Sequence, residues 1–160
     1  GPNGAIAGND NDADASRFEP HFQEIRRSDQ VQIYESIMAD ASGSVTTGLL
    51  RATKYLKDNR LLPDGFDKRT AEPDIAVHGE AFGDADFLAG ADAVRLLVPL
   101  GGGSGPFRIE AELRFQTIAF RWADNLRRYD APEPKRFVTF YDGMAGSSSV
   151  VLASAVAMVE

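Results

Sequence analysis

The sequence predicts a mainly β chain: an antiparallel β-sandwich, jelly-roll or immunoglobulin-like, with one or two short helices before its last strand. Three observations carry that reading. In residues 107–115, Phe107, Ile109, Ala111, Leu113 and Phe115 alternate with Arg108, Glu110, Glu112 and Arg114. Strict alternation marks a strand with one face in a core and one in water, and half-covered strands belong mainly to antiparallel sheets. Val94, Leu96, Val98 and Leu100 also alternate, up to the break Gly101-Gly-Gly-Ser-Gly-Pro106. The two runs predict a hairpin with a long tip. Residues 150–159 are apolar at nearly every position and predict a central strand covered on both faces.

The remaining elements follow in chain order. Residues 1–17 read as a flexible leader of Gly, Ala, Asn, Asp and Ser, too poor in apolar surface to offset the cost of ordering. Within it, Gly1-Pro2 resembles the remnant of a cleaved tag. Order begins near Phe18 or Phe22, and residues 18–160 form a single sandwich domain. Residues 31–38 read as a strand with Val31, Ile33 and Ile37 on one face. Residues 40–44 are a turn in which Gly43 is free to take positive φ. Residues 45–56 read as a second strand paired with the first, with a helix carrying Leu49, Thr53 and Leu56 on one face as the competing reading, and Leu61-Leu-Pro-Asp-Gly65 is a turn. Ile75-Ala-Val-His-Gly79 reads as a short strand, and residues 83–86 as a loop. Trp122, Leu126 and Tyr129 stand at helical spacing. Pro132 opens a second short helix with Phe137, Tyr141 and Met144 on one stripe, ended by Gly143 and Gly146.

Composition removes several functions. The 160-residue chain carries a net charge of −7, and an acidic surface repels phosphate backbones and anionic lipids. Nucleic-acid partners and membrane insertion are therefore not expected, and no apolar run is long enough to span a bilayer. With no cysteine there is no disulfide, thiolate chemistry or thioether-attached haem in this fragment.

Candidate chemistry is concentrated in a few places. Asp84, Asp86 and Asp92 put three carboxylates in one loop, a density that repels unless a cation or basic groups intervene. They are the candidate metal ligands, with calcium as the cation; spreading into solvent is the competing reading. Asp10, Asp12 and Asp14 have the alternate spacing of calcium loops but lack the loop's glycine and closing glutamate, and read as a solvated leader. His21 and His78 are the only histidines, so a three-histidine site is excluded. His78 reads as a half-buried, hydrogen-bonded side chain. Ser147-Ser-Ser149 lacks a nucleophile elbow, and residues 101–105 lack the lysine of a phosphate loop. No catalytic residue is assigned, and the chain is not read as an enzyme. Asp58 and Arg60 either clamp a long turn or grip a partner. Arg121 and Trp122 begin an aromatic and basic cluster that is either a stacking platform for sugar or peptide, or the docking stripe of a helix.

Four segments carry a resemblance: Gln30-Val-Gln-Ile-Tyr-Glu35, Thr46-Thr-Gly-Leu-Leu-Arg-Ala52, Tyr55-Leu-Lys-Asp-Asn-Arg-Leu-Leu-Pro-Asp-Gly-Phe66 and Phe115-Gln-Thr-Ile-Ala-Phe-Arg-Trp122. Over roughly residues 20–159, the chain resembles an uncharacterised bacterial domain at the C-terminal end of extracytoplasmic proteins related to multihaem c-type cytochromes. The resemblance implies a periplasmic or secreted setting and a fragment excised from a longer chain. It also implies other domains of that parent protein, or a redox partner, as its company. The expected function is a non-catalytic accessory or interaction domain. The competing expectation is a carbohydrate- or calcium-binding β-sandwich module.

Overall fold

The computed structural model describes residues 5–160, so Gly1-Pro2 lies outside the described residues. Among them, strands are the commoner regular structure: seven in three small sheets, beside three α-helices. Among the described residues no barrel is formed, and no helix is long and apolar enough to cross a membrane. The chain divides into two compact units, Gly8–Leu97 and one containing Val98–Glu160, where the sequence reading has a leader and a single domain.

The first unit opens with α1 (Asp10–Ala13), capped by the Asn9 side chain, which accepts from the Asn11 N–H at 2.7 Å. Asn9 is buried and also donates to Glu19 and to the Asp29 carbonyl. Asn9, Asp14 and Ser16, within the stretch read as a leader, make specific hydrogen bonds. The polar side chains that make the segment look unfoldable are what fasten it.

Three strands form the unit's main sheet: β2 (Ser36–Asp40) lies between β3 (Val45–Thr46) and β4 (Ala52–Asp58), antiparallel to both. The expected pairing of these two segments is met, with Gly43 at φ 86° in the turn. Residues 31–35 are not part of the strand. Lys57 Nζ and Asn59 Nδ2 donate to the Ile33 carbonyl at 2.9 and 3.0 Å, so side chains take a main-chain acceptor that a ladder would have used. Residues 75–79 also depart from the expected strand. A single 3₁₀ turn (Pro73–Ile75) precedes one isolated bridge between Asp58 and His78. Gly79, at φ 78°, lies against β4 so closely that a Cβ would stand 3.1 Å from the Leu56 carbonyl oxygen. The core of this unit is Phe87, Val77 and Ala81, packed by Tyr34, Leu62 and Phe66.

The expected hairpin between residues 94–100 and 107–115 does not form. β5 (Arg95–Leu96) pairs in parallel with β1 (Glu24–Ile25), while β6 (Phe107–Gln116) pairs antiparallel with β7 (Ser149–Val159). β6 spans ten residues and finds main-chain partners along its whole length in eleven-residue β7, which the short run before the glycines cannot offer. The nearest alternating neighbour in sequence was the wrong partner.

The helices α2 (Phe120–Leu126) and α3 (Pro132–Met144) stand where the apolar spacing predicts them, with proline in the first turn of α3. Ala123, Tyr141 and Ala145 make the core of the second unit, with Phe137 packed against them.

The apolar run 150–159 is a strand, but it is not covered on both faces. β6 and β7 form a two-stranded ribbon by themselves. Directly opposed residues share a face, so Phe107, Ile109, Ala111, Leu113 and Phe115 lie beside Val159, Ala157, Ala155, Ala153 and Val150. That face is apolar throughout and, Phe107 apart, exposed, with Ile109 51% and Phe115 52% exposed. On the other face, Arg108 pairs with Glu110 and Arg114 with Glu112 along the same strand. A register shift beside Leu113 leaves Leu152 without an opposite residue.

Candidate metal centre and its hydrogen-bond shell

His21 lies at the middle of the first unit's polar core, with its side chain fully buried. Its Nε2 is 3.1 Å from Asp84 Oδ2 and 3.9 Å from Asp92 Oδ1. The ligand atoms of these three residues all lie within 4.8 Å of one another. Sequence reasoning singled out Asp84 and Asp92 by carboxylate density, and the structure brings both to one point. His21 was not assigned to that group, because it is 63 residues from Asp84 and no local pattern joins them.

The shell around the histidine fixes its tautomer. Nδ1 faces two amide groups, Gln32 Nε2 at 2.9 Å and Asn59 Nδ2 at 3.0 Å. Neither amide is free to turn. Gln32 Oε1 accepts from the Phe22 N–H at 2.7 Å, and Asn59 Oδ1 accepts from the Glu35 N–H at 2.9 Å. Both amides therefore present N–H to Nδ1, which must be an acceptor, and the ring carries its proton on Nε2. Nε2–H then donates to Asp84. The nearby Phe87 ring meets the imidazole edge-on at 5.0 Å and closes this side of the core.

Each carboxylate is held separately. Asp84 Oδ1 accepts from the Asp86 N–H at 3.1 Å. Asp92 Oδ2 accepts from Tyr34 Oη at 2.5 Å and from Gln32 Nε2 at 3.4 Å. Asp92 Oδ1 is buried and has no hydrogen-bond partner. The buried ammonium of Lys68 donates to the main-chain carbonyls of Ala81 and Asp84 rather than to either carboxylate.

Burial pushes the Asp84 carboxyl up, but the Asp86 N–H and His21 outweigh it and hold the group below the usual range. A carboxyl depressed in the folded chain contributes stability above its unfolded pKa and loses it as pH falls through the folded value. The stability gap between the native chain and Asp84→Asn should therefore shrink below about pH 3.9. Urea titrations of both proteins across pH 3–6, in steps of about half a unit, check this. Burial first, and then the bond to Asp92, push the Tyr34 hydroxyl up, so it remains a donor to that carboxylate. Asp86 is exposed, and its bond to Asp84, burial and the two neighbouring charges all push its carboxyl up.

The other candidates are placed as follows. Asp58 is buried and accepts from Arg60 Nε at 2.9 Å and from Nη2 at 2.6 Å, so the two grip each other across the turn. Arg121 is half-buried on α2, and Trp122 beside it is 38% exposed. Of the aromatic stripe, Tyr141 is buried and stacks on Phe137 at 6.2 Å.

Comparison with known proteins returns no match: no family model, no curated protein and no solved structure is similar to this chain.

Proposed function

We propose that this chain is a non-catalytic interaction domain and that its docking surface is the apolar face of the β6–β7 ribbon. The single observation that carries the reading is that face itself, ten apolar residues in two adjoining columns, all but Phe107 exposed among the described residues. A two-stranded ribbon alone is marginal in water, and a contiguous apolar patch on a soluble domain marks an interaction site.

The occupant is a second copy of the ribbon. The β6 column is mostly large (Phe107, Ile109, Leu113, Phe115), while the β7 column holds Ala153, Ala155 and Ala157. A two-fold axis along the strands sets each large column over the partner's alanine column, the self-matching that an isologous contact needs. Two such sheets face to face make the β-sandwich that the alternation predicts, assembled between chains rather than within one. The charged face of β6, already paired along the strand, stays in water. On the chemical side, both nitrogens of His21 are taken up by neighbouring side chains, an arrangement suited to holding a core rather than to moving protons. An extracytoplasmic setting within a larger cytochrome-related protein follows from the resemblance of the four sequence segments.

Sedimentation velocity over a concentration series tests the reading. A reversible dimer is expected, and Ile109→Glu, which drives a charge into the facing layer, should leave a folded monomer. A native chain that stays monomeric at the highest concentrations would contradict it.

A further inference from the structure

We propose that Asp84 and Asp92, with Asp86 beside them, bind one calcium ion, and that His21 stays outside the coordination shell as an N–H donor. The observation that points to a ligand is Asp92 Oδ1. Its side chain is 3% exposed, every other polar atom of the cluster is hydrogen-bonded, and this oxygen is turned towards Asp84 and His21 with no partner. A buried carboxylate oxygen without a donor is costly. Two buried carboxylates, with the buried Lys68 ammonium spent on main-chain carbonyls, leave negative charge uncompensated.

The tautomer selects the class of cation. A transition metal on Nε2 would need a lone pair there and a proton on Nδ1. Two amides held by the Phe22 and Glu35 N–H groups present donors to Nδ1, so that proton has no acceptor. What remains available is oxygen: Asp84 Oδ2 and Asp92 Oδ1. One oxygen from each carboxylate lies within 4.8 Å of the other, so both can reach a calcium ion at about 2.4 Å, and hard cations of this kind take carboxylate ligands and complete the shell with water. Asp86, exposed and joined to Asp84 through its N–H, stands on the solvent side as a third carboxylate and an entry point. The site is built from residues of the first unit alone, and its failure would leave the reading of the ribbon untouched.

The test is titration of the chelator-treated full chain with calcium chloride, followed by calorimetry and melting temperature, with zinc chloride as the second arm. Calcium is expected to bind at one equivalent and raise the melting temperature. Asp92→Asn should abolish both effects. Asp86→Asn, an exposed change that also relieves repulsion from Asp84 and Asp92, should weaken binding roughly tenfold without lowering the metal-free melting temperature. Nitrogen-detected NMR of His21 should report Nε2–H with and without calcium. No binding of calcium, or tighter binding of zinc with loss of the Nε2 proton, would overturn the proposal.

Discussion

Asn59→Ala is expected to destabilise the first unit by about 2–4 kcal/mol, one of the two largest effects expected in the chain. Asn59 is completely buried, and its one side chain serves three partners: the Glu35 N–H, the Ile33 carbonyl and His21 Nδ1. Truncation leaves the Glu35 N–H without its acceptor in a water-excluded place, at about 1–3 kcal/mol. It also takes one of two donors from the Ile33 carbonyl and from His21 Nδ1, which keep Lys57 and Gln32, and opens a cavity. Asn59→Asp separates shape from donor identity. It keeps the size and the acceptor for Glu35, yet sets an oxygen against a carbonyl and a nitrogen lone pair. Urea unfolding of both variants measures the effect. If the aspartate variant matched the native stability, Nδ1 would not be the acceptor that fixes the histidine.

Phe87→Ala should cost a similar amount, about 3–5 kcal/mol. The ring is wholly buried among Val77, Ala81, Tyr34, Leu62 and Phe66, and it separates this apolar core from the polar one. It presents its face to Lys68 Nζ at 5.6 Å and meets His21 edge-on. Removing it opens a cavity and takes away the wall that orients the imidazole. Phe87→Leu refills most of the volume and should recover more than half the loss; thermal and chemical denaturation of the pair provide the check. An alanine variant as stable as the native chain would show that this side chain does not organise the core.

Local pattern carried some of this structure, and long-range pairing decided the rest. Alternation over residues 107–115 and helical spacing at Trp122, Leu126, Phe137 and Tyr141 are properties of a segment by itself, and those elements stand where they were expected. Strand partners are not a local property. β6 chose β7 across the helices, and the turn-like glycines at 101–103 suggested a neighbour with too few residues to match it. The hydrogen bonds of the leader stretch are illegible in the sequence for a similar reason. Asn9 looks like a linker residue until Glu19 and Asp29 are placed against it. At the candidate metal centre, Asp84, Asp86 and Asp92 were visible because they are close in sequence. His21, Gln32, Tyr34 and Asn59 were missed because the folded chain assembles them with the aspartates from distant segments.

The association of two ribbons can be observed directly, because the chain has no cysteine and one can be introduced cleanly for a spin label. Ser154 lies on the outer face of β7, opposite Glu112 and away from the apolar columns. Pulsed dipolar spectroscopy on labelled Ser154→Cys is expected to give one narrow distance between two copies, lost when Ile109→Glu is added. A native-background sample with no dipolar signal, or a broad distribution indifferent to Ile109→Glu, would contradict the interaction-domain reading.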